Sequence, residues 1–330
     1  MSDDLLHGGA VDAMRRRFPD APTPWIDLST GVNPFAYPHR AVGDAALRPL
    51  PTHAATIACR RAMAAAFGAP EDSLLLAPGS ELLIRLLPTV IAPQSVAVLQ
   101  PTYGDHVDVW RAHGADVMER AGVLDCADGA DAVVVCNPNN PDGRIFAVEE
   151  IERARARLAA RGGWLIVDEA YADLRPEHSI ARRGGADGLI TLRSFGKFYG
   201  LAGVRLGALL APAPIRTRMA ERLGVWAASG PALEIGARAY ADNDWRARMR
   251  RRLAAERARR DETLARAGAP AIGGTDLFRF VEVDDAYAVW ETLARRGVYT
   301  RRFAWTRRHL RVGLPPDEEA YARFAAALTL

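Results

Sequence analysis

A chain of 330 residues, 49% apolar and 25% charged, has enough material for one large domain and a smaller one, each with a buried core. Its 43 basic residues face 40 acidic ones, and a formal net charge of only +3 argues against a nucleic-acid binder. Three cysteines (Cys59, Cys126, Cys136) without metal-ligand spacing predict neither a disulfide framework nor a metal site, and no apolar run is long enough to span a membrane.

The start, "MSDDLLHGG", has neither a basic nor an apolar leader segment, so a reducing, cytoplasmic location is expected. Residues 1–35, rich in Pro and Gly, read as an N-terminal arm. "SELLIRLLPTVI" (80–91) has helical periodicity, with Ser80 as its expected N-cap. Five short apolar runs follow: "SVAVLQ" (95–100), "DAVVVC" (131–136), "GWLIVD" (163–168), "GLITLR" (188–193) and "RLGALL" (205–210). Runs this continuous suit strands of a parallel sheet covered on both faces. Between the second and third, "VEEIERARARLAAR" (148–161) reads as an amphipathic helix. Residues 36–213 therefore form the expected large α/β domain, with a mostly parallel central sheet and helices on both faces.

From residue 214 the pattern changes. An Arg/Ala-rich helical stretch to 267 precedes "DLFRFVEV" (276–283), a helix near 285–296, and "HLRVGL" (309–314). Residues 214–330 read as a long connecting helix and a smaller α+β domain. The basic run "RARMRRRLAAERARR" (246–260) is a solvated face, since acidic residues lie among and beside the arginines.

The distinctive polar residues fall where strands end. Tyr103 follows the first run, "NPNNPDG" (137–143) the second, Asp168 and Tyr171 the third, and Ser194 and Lys197 the fourth. Ligands of open α/β sheets bind outside the carboxyl ends of the strands. Lys197 is the one lysine of the chain, so the other 42 basic residues are arginine. It is a surviving surface lysine, a cation for phosphate, or a nucleophilic amine. Arginine serves the phosphate role as well, but a guanidinium does not form a Schiff base.

"SFGKFYGLAGVRLG" (194–207), "NPNNPDG" and "DEAY" (168–171), in that order, resemble the fold-type-I pyridoxal-phosphate enzymes of the aminotransferase class I/II superfamily. The spacings fit as well, with 29 residues from Asp168 to Lys197 and 8 from Lys197 to Arg205. The likeness covers nearly the whole chain and is strongest to the threonine-phosphate decarboxylase and histidinol-phosphate aminotransferase branch. The resemblance implies that Lys197 holds pyridoxal 5′-phosphate covalently and then moves protons. Asp168 pairs with the pyridinium nitrogen, which it keeps protonated. Asn140 and Tyr171 hydrogen-bond the ring's O3′, and Tyr103 stacks on the ring. Gly79, Ser80, Ser194 and Arg205 take the phosphate.

The opening "HGG" and "DLSTGVNP" (27–34) resemble the same branch's N-terminal segment. That likeness assigns His7 to a substrate phosphate and Asn33 to a substrate contact. Arg311 matches the family's carboxylate-binding arginine, and Arg301 or Arg302 adds charge for the substrate phosphate. The implied reaction is decarboxylation of L-threonine O-3-phosphate to aminopropanol phosphate, a step of cobalamin biosynthesis. A histidinol-phosphate-like aminotransferase is the alternative, and a non-catalytic protein of the same fold a third reading. The implied partners are a phosphorylated amino acid or amine and a second copy of the chain in a homodimer. One position departs from the family. Leu50-Pro51 stands near the place of a Tyr-Pro whose tyrosine reaches the neighbouring subunit's cofactor, with His53 close by.

Overall fold

In a computed structural model, the described residues are 8–39, 42–122 and 129–328. Their regular elements follow in chain order: α1 (Val11–Arg17), β1 (Ile26–Leu28), α2 (Asp44–Leu47), α3 (His53–Phe67), β2 (Leu74–Ala77), α4 (Ser80–Ile91), β3 (Ser95–Leu99) and α5 (Asp105–Ala112). After these come β4 (Asp116–Arg120), β5 (Ala132–Cys136), α6 (Val148–Ala159), β6 (Trp164–Asp168), β7 (Leu189–Ser194), β8 (Gly207–Leu210), α7 (Ala213–Leu223) and α8 (Gly230–Ala241). The last are α9 (Asn243–Arg266), β9 (Ala271–Gly274), β10 (Arg279–Glu282), α10 (Ala286–Arg295), β11 (Val298–Phe303), β12 (Thr306–Val312) and α11 (Glu318–Leu328).

Ala36–Asn140 and Arg144–Ala247 form one unit. Its sheet has the order β2-β8-β7-β6-β5-β3-β4. The apolar runs become strands because both faces of the sheet are covered. Ala132, Val134, Ile166 and Ile190 enter one core with Leu83, Ile84 and Leu87 of α4. Val133, Val135, Leu165, Val167 and Leu189 enter another with Ile151, Ala154 and Leu158 of α6. Each fully buried side chain of this kind contributes about 1.5–3 kcal/mol, which fixes the register of the strands.

Four neighbouring pairs, from β7 through β6, β5 and β3 to β4, run parallel. The run "RLGALL" departs from the expected parallel arrangement. Its strand β8 lies antiparallel to both β7 and β2. An unbroken apolar run encodes burial on both faces but not direction. Ser80 also differs from expectation. It is the first residue of α4, Gly79 occupies the cap position, and no side chain caps the helix.

Met1–Phe35, Pro141–Gly143 and Arg248–Leu330 form the second unit. Its sheet runs β1-β11-β12-β10-β9. The segment expected as an arm supplies α1 and β1, and β1 pairs in parallel with β11. Met14, Leu28, Trp290, Tyr299 and Phe324 fill the core of this unit. The helical stretch expected over 214–267 is three helices, α7, α8 and α9.

Candidate active site

Loops leaving the carboxyl ends of β5, β6 and β7 reach one cavity of about 270 Å³. The loop after β5 is folded by its own asparagines. Asn137 accepts from Phe146 N (3.0 Å) and donates to Phe146 O (3.3 Å) and His178 O (3.2 Å). Asn139 donates to Pro101 O (2.7 Å) and accepts from Thr102 Oγ1 (3.0 Å). Both are buried, and Asn140 between them and Pro141 lines the cavity. Buried amides with their hydrogen bonds made hold a loop in one shape.

At the end of β6, Asp168 is buried with both oxygens engaged. Oδ1 accepts from Ala170 N at 3.0 Å, and Oδ2 lies 3.0 Å from His106 Nε2. Burial works against a charge on His106. The Cys136 sulfur and the Asp168 carboxylate outweigh it and push the imidazole pKa up to about 10. His106 Nε2, Cys136 Sγ and an Asp168 oxygen lie within 4.8 Å of one another, and the imidazole–carboxylate hydrogen bond joins two of these three groups. Tyr171, one turn beyond, is buried and also lines the cavity.

At the end of β7, Ser194 is buried and Lys197 half-buried, both against the cavity. Phe195 and Tyr199 stack at 4.7 Å on either side of this lysine in sequence, which anchors its loop in aromatic packing. Beneath it, Arg193 pairs with Glu169 (2.8 Å) and Asp173 (2.7 Å), all three buried. This ion triad ties the residue before Ser194 to the residue after Asp168.

The remaining wall is the start of α4. Gly79 has φ 91° and ψ 158°, a region that only glycine enters without strain. A Cβ there would stand 2.6 Å from Arg205 Nη2, so the guanidinium lies against the backbone leading into α4. Arg205 itself is left-handed at φ 55°, and its Nη1 donates to Ala202 O at 3.3 Å. The first N–H groups of a helix lack intrahelical partners and carry the positive end of its dipole. With Ser80, Ser194 and Arg205 at the same cavity, this corner suits an anion of phosphate size.

Tyr103 completes the lining, its ring edge-on to His106. Its hydroxyl lies 3.1 Å from Glu81 Oε2 and 3.0 Å from Asp105 Oδ2, and Arg85 bridges those carboxylates at 2.7 and 2.9 Å. Burial, then the Glu81 and Asp105 charges, raise the phenol pKa. Burial and Asp105 raise that of Glu81.

Ser80, Tyr103, Asn140, Asp168, Tyr171, Ser194, Lys197 and Arg205 thus line one cavity, with Gly79 at its edge. An amine, a buried carboxylate and an anion corner fit the three reactive parts of pyridoxal phosphate: aldehyde, pyridine nitrogen and phosphate. His106, Cys136 and Glu81 were not singled out by the sequence. No local pattern connects residue 106 to residue 168, and sheet packing alone brings them together.

The substrate residues expected from the N- and C-terminal segments belong to the second unit. Asn33 is buried and accepts from Phe35 N at 2.9 Å. Arg311, buried on β12, donates to Ser29 O at 2.6 Å and lies 5.2 Å from the centre of the Phe278 ring. Arg301 on β11 is paired in register with Arg311, so the two side chains share a face of the sheet. Arg302 lies over the Tyr287 and Trp290 rings at 4.5 Å each. His7 lies outside the described residues. Leu50 and His53 are both exposed.

Residues 23–328 match the family described as Aminotransferase class I and II. The threonine-phosphate decarboxylase of Pseudomonas aeruginosa is 41% identical over 98% of this chain and 97% of its own length. That of a Sinorhizobium species is 40% identical, covering 99% and 98%. A solved histidinol-phosphate aminotransferase from Sinorhizobium meliloti, in complex with pyridoxal-5′-phosphate, superposes with a TM-score of 0.82 over 96% of this chain and 93% of that one, at 21% identity.

Proposed function

The chain belongs to the class I and II aminotransferase family, and within it we propose a pyridoxal-phosphate-dependent threonine-phosphate decarboxylase. It converts L-threonine O-3-phosphate to aminopropanol phosphate and CO2, for cobalamin biosynthesis. The observation that carries this reading is near-full-length identity of about 40% to two such decarboxylases, in a chain whose cavity holds an amine, a carboxylate and an anion corner.

When bound, pyridoxal phosphate supplies the electron sink for the bond broken at the substrate's α-carbon. Lys197, the one amine lining the cavity, would hold the aldehyde through Nζ, and the same amine is placed to hold and return a proton at the α-carbon. Asp168, hydrogen-bonded to His106 Nε2 at 3.0 Å, would face the pyridine nitrogen and favour its protonated form. Asn140 and Tyr171 would donate to O3′, and Tyr103 would pack against the ring. The α4 N-terminus with Gly79, Ser80, Ser194 and Arg205 would hold the phosphate and so orient the group. Arg311 takes the substrate carboxylate as a fork. Asn33, Arg301 and His7 take the remainder of the substrate, including its phosphate. Arg301 is favoured over Arg302 because it shares Arg311's face of the sheet, whereas Arg302 is spent on two aromatic rings. The grip of Arg311 on that carboxylate would orient the substrate's α-carbon and so favour CO2 loss over removal of the α-hydrogen.

The working form is a homodimer, and Leu47, Leu50, Val225 and Trp226 of the large unit, each exposed, are apolar side chains that a second copy would cover. Among the described residues no helix is long and apolar enough to cross a membrane, and the enzyme acts in the cytoplasm. The test is incubation of the cofactor-loaded enzyme with threonine phosphate while CO2 and aminopropanol phosphate are followed. Equimolar release of both, without any 2-oxo acid, is expected. Turnover that requires a 2-oxo acid and releases no CO2 assigns the aminotransferase alternative instead.

A further inference from the structure

In the second unit the substrate-carboxylate arginine is not positioned by its own strand alone. Arg311 Nη2 donates to the backbone carbonyl of Ser29 at 2.6 Å. That same carbonyl is covered by the start of the chain. A Cβ on Gly8 would lie 2.5 Å from Ser29 O and 2.9 Å from its carbonyl carbon. Real Cβ atoms do not approach backbone this closely, so only glycine fits without moving Ser29. Gly9 N then donates to Ser29 Oγ at 2.8 Å, and Asp27 Oδ1 accepts from Ser29 N at 2.8 Å. The residues flanking Ser29 are held as well: Gly313 N donates to Leu28 O at 2.7 Å, and a Cβ on Gly313 would stand 2.8 Å from Thr30 O. Gly8 thus packs directly on the Ser29 carbonyl, Gly313 packs on its neighbours Leu28 and Thr30, and the Ser29 oxygen carries the guanidinium.

We propose that Gly8 and Ser29 are positioning residues for the substrate carboxylate: the N-terminal glycine step fixes the Ser29 carbonyl, and that carbonyl aims the Arg311 fork. The proposal rests on the reading of Arg311 as the carboxylate-binding residue. A planar fork bound bidentately depends on its orientation, and a misplacement of 1 Å at a positioning group can cost about a hundredfold. Gly8→Ala must push the Ser29 peptide by several tenths of an ångström, which tilts Arg311 without removing it. Ser29→Ala removes the hydroxyl that holds Gly9, and Ser29→Thr keeps it.

The experiment measures threonine-phosphate kinetics, inhibition by aminopropanol phosphate and the visible absorbance of bound cofactor for Gly8→Ala, Ser29→Ala, Ser29→Thr and Arg311→Gln. The product amine has lost the carboxylate, so its affinity reads everything except the Arg311 contact. Gly8→Ala is expected to raise KM about tenfold, with product inhibition and cofactor absorbance unchanged. Ser29→Ala shifts KM the same way, and Ser29→Thr restores it. If Arg311→Gln raises KM but Gly8→Ala does not, the positioning role is overturned and the carboxylate reading stands. Equal weakening of substrate and product by Gly8→Ala also overturns it, because the effect would not pass through Arg311. If Arg311→Gln leaves KM unchanged, the carboxylate reading falls, and the positioning role with it.

Discussion

Gly79→Ala places a methyl group at the tightest point of the proposed phosphate corner. Two costs arise from the geometry. At φ 91° and ψ 158° an alanine is strained by about 1–3 kcal/mol, which lowers the stability of the fold. The new Cβ would also stand 2.6 Å from Arg205 Nη2. That atom ends a flexible side chain, so the guanidinium moves aside before the helix does. A charge-assisted arginine–phosphate hydrogen bond contributes about 1.5–3 kcal/mol. At about 1.4 kcal/mol per factor of ten, its loss weakens cofactor binding roughly ten- to hundredfold. The assay is titration of cofactor-free protein with pyridoxal phosphate, followed by visible absorbance, beside a urea unfolding curve. Repeating it in an Arg205→Gln background closes a double-mutant cycle, in which the affinity cost of alanine should nearly vanish. A cofactor dissociation constant within about twofold of the parent's, despite lowered stability, would refute the placement of Arg205 on the phosphate.

Lys197→Arg keeps a cation in the cavity but cannot condense with an aldehyde, so turnover should fall below detection while the thermal midpoint stays near that of the parent; substantial residual CO2 release contradicts the covalent role. Arg193→Met removes the cation that the buried carboxylates of Glu169 and Asp173 share, at a cost of about 3–5 kcal/mol, read as a lower urea midpoint. His106 has its pKa raised from 6.5 to about 10 in the folded chain, so the stability it contributes is complete below pH 6.5 and is lost as pH climbs toward 10. Unfolding free energy should therefore decline across that window, and His106→Gln should flatten the slope; an equally steep decline in the variant points to another group.

The strand-end chemistry is legible in the sequence because parallel strands buried on both faces write themselves as unbroken apolar runs. Asp168, Ser194 and the residues of "NPNNPDG" end or follow such runs directly. Other elements leave weaker traces. Strand β4, "DVMER", is an edge strand with polar exposed positions, and β1 has three residues. Neither carries enough apolar length to register. The direction of β8 is silent for a different reason, since burial depends on the side chains and not on which way the backbone runs. His106 reaches Asp168 across 62 positions, a pairing that only the order of β3, β5 and β6 in the sheet creates. Among 42 arginines, composition cannot single out Arg311. Its distinction is burial on β12 against the Ser29 carbonyl, which no local pattern announces.

The half-buried Lys197 has a practical consequence for anyone handling this protein. Apart from the chain's α-amino group, it is the one primary amine present. Amine-directed reagents that scatter over dozens of surface lysines in an ordinary protein have a single side-chain target here, inside the proposed cofactor cavity. With the site filled, that target is covered. The fraction of molecules carrying cofactor can then be counted by intact mass after labelling, as one adduct gained or missed beyond that on the α-amino group, and cross-linkers or dyes aimed at amines find no other side chain.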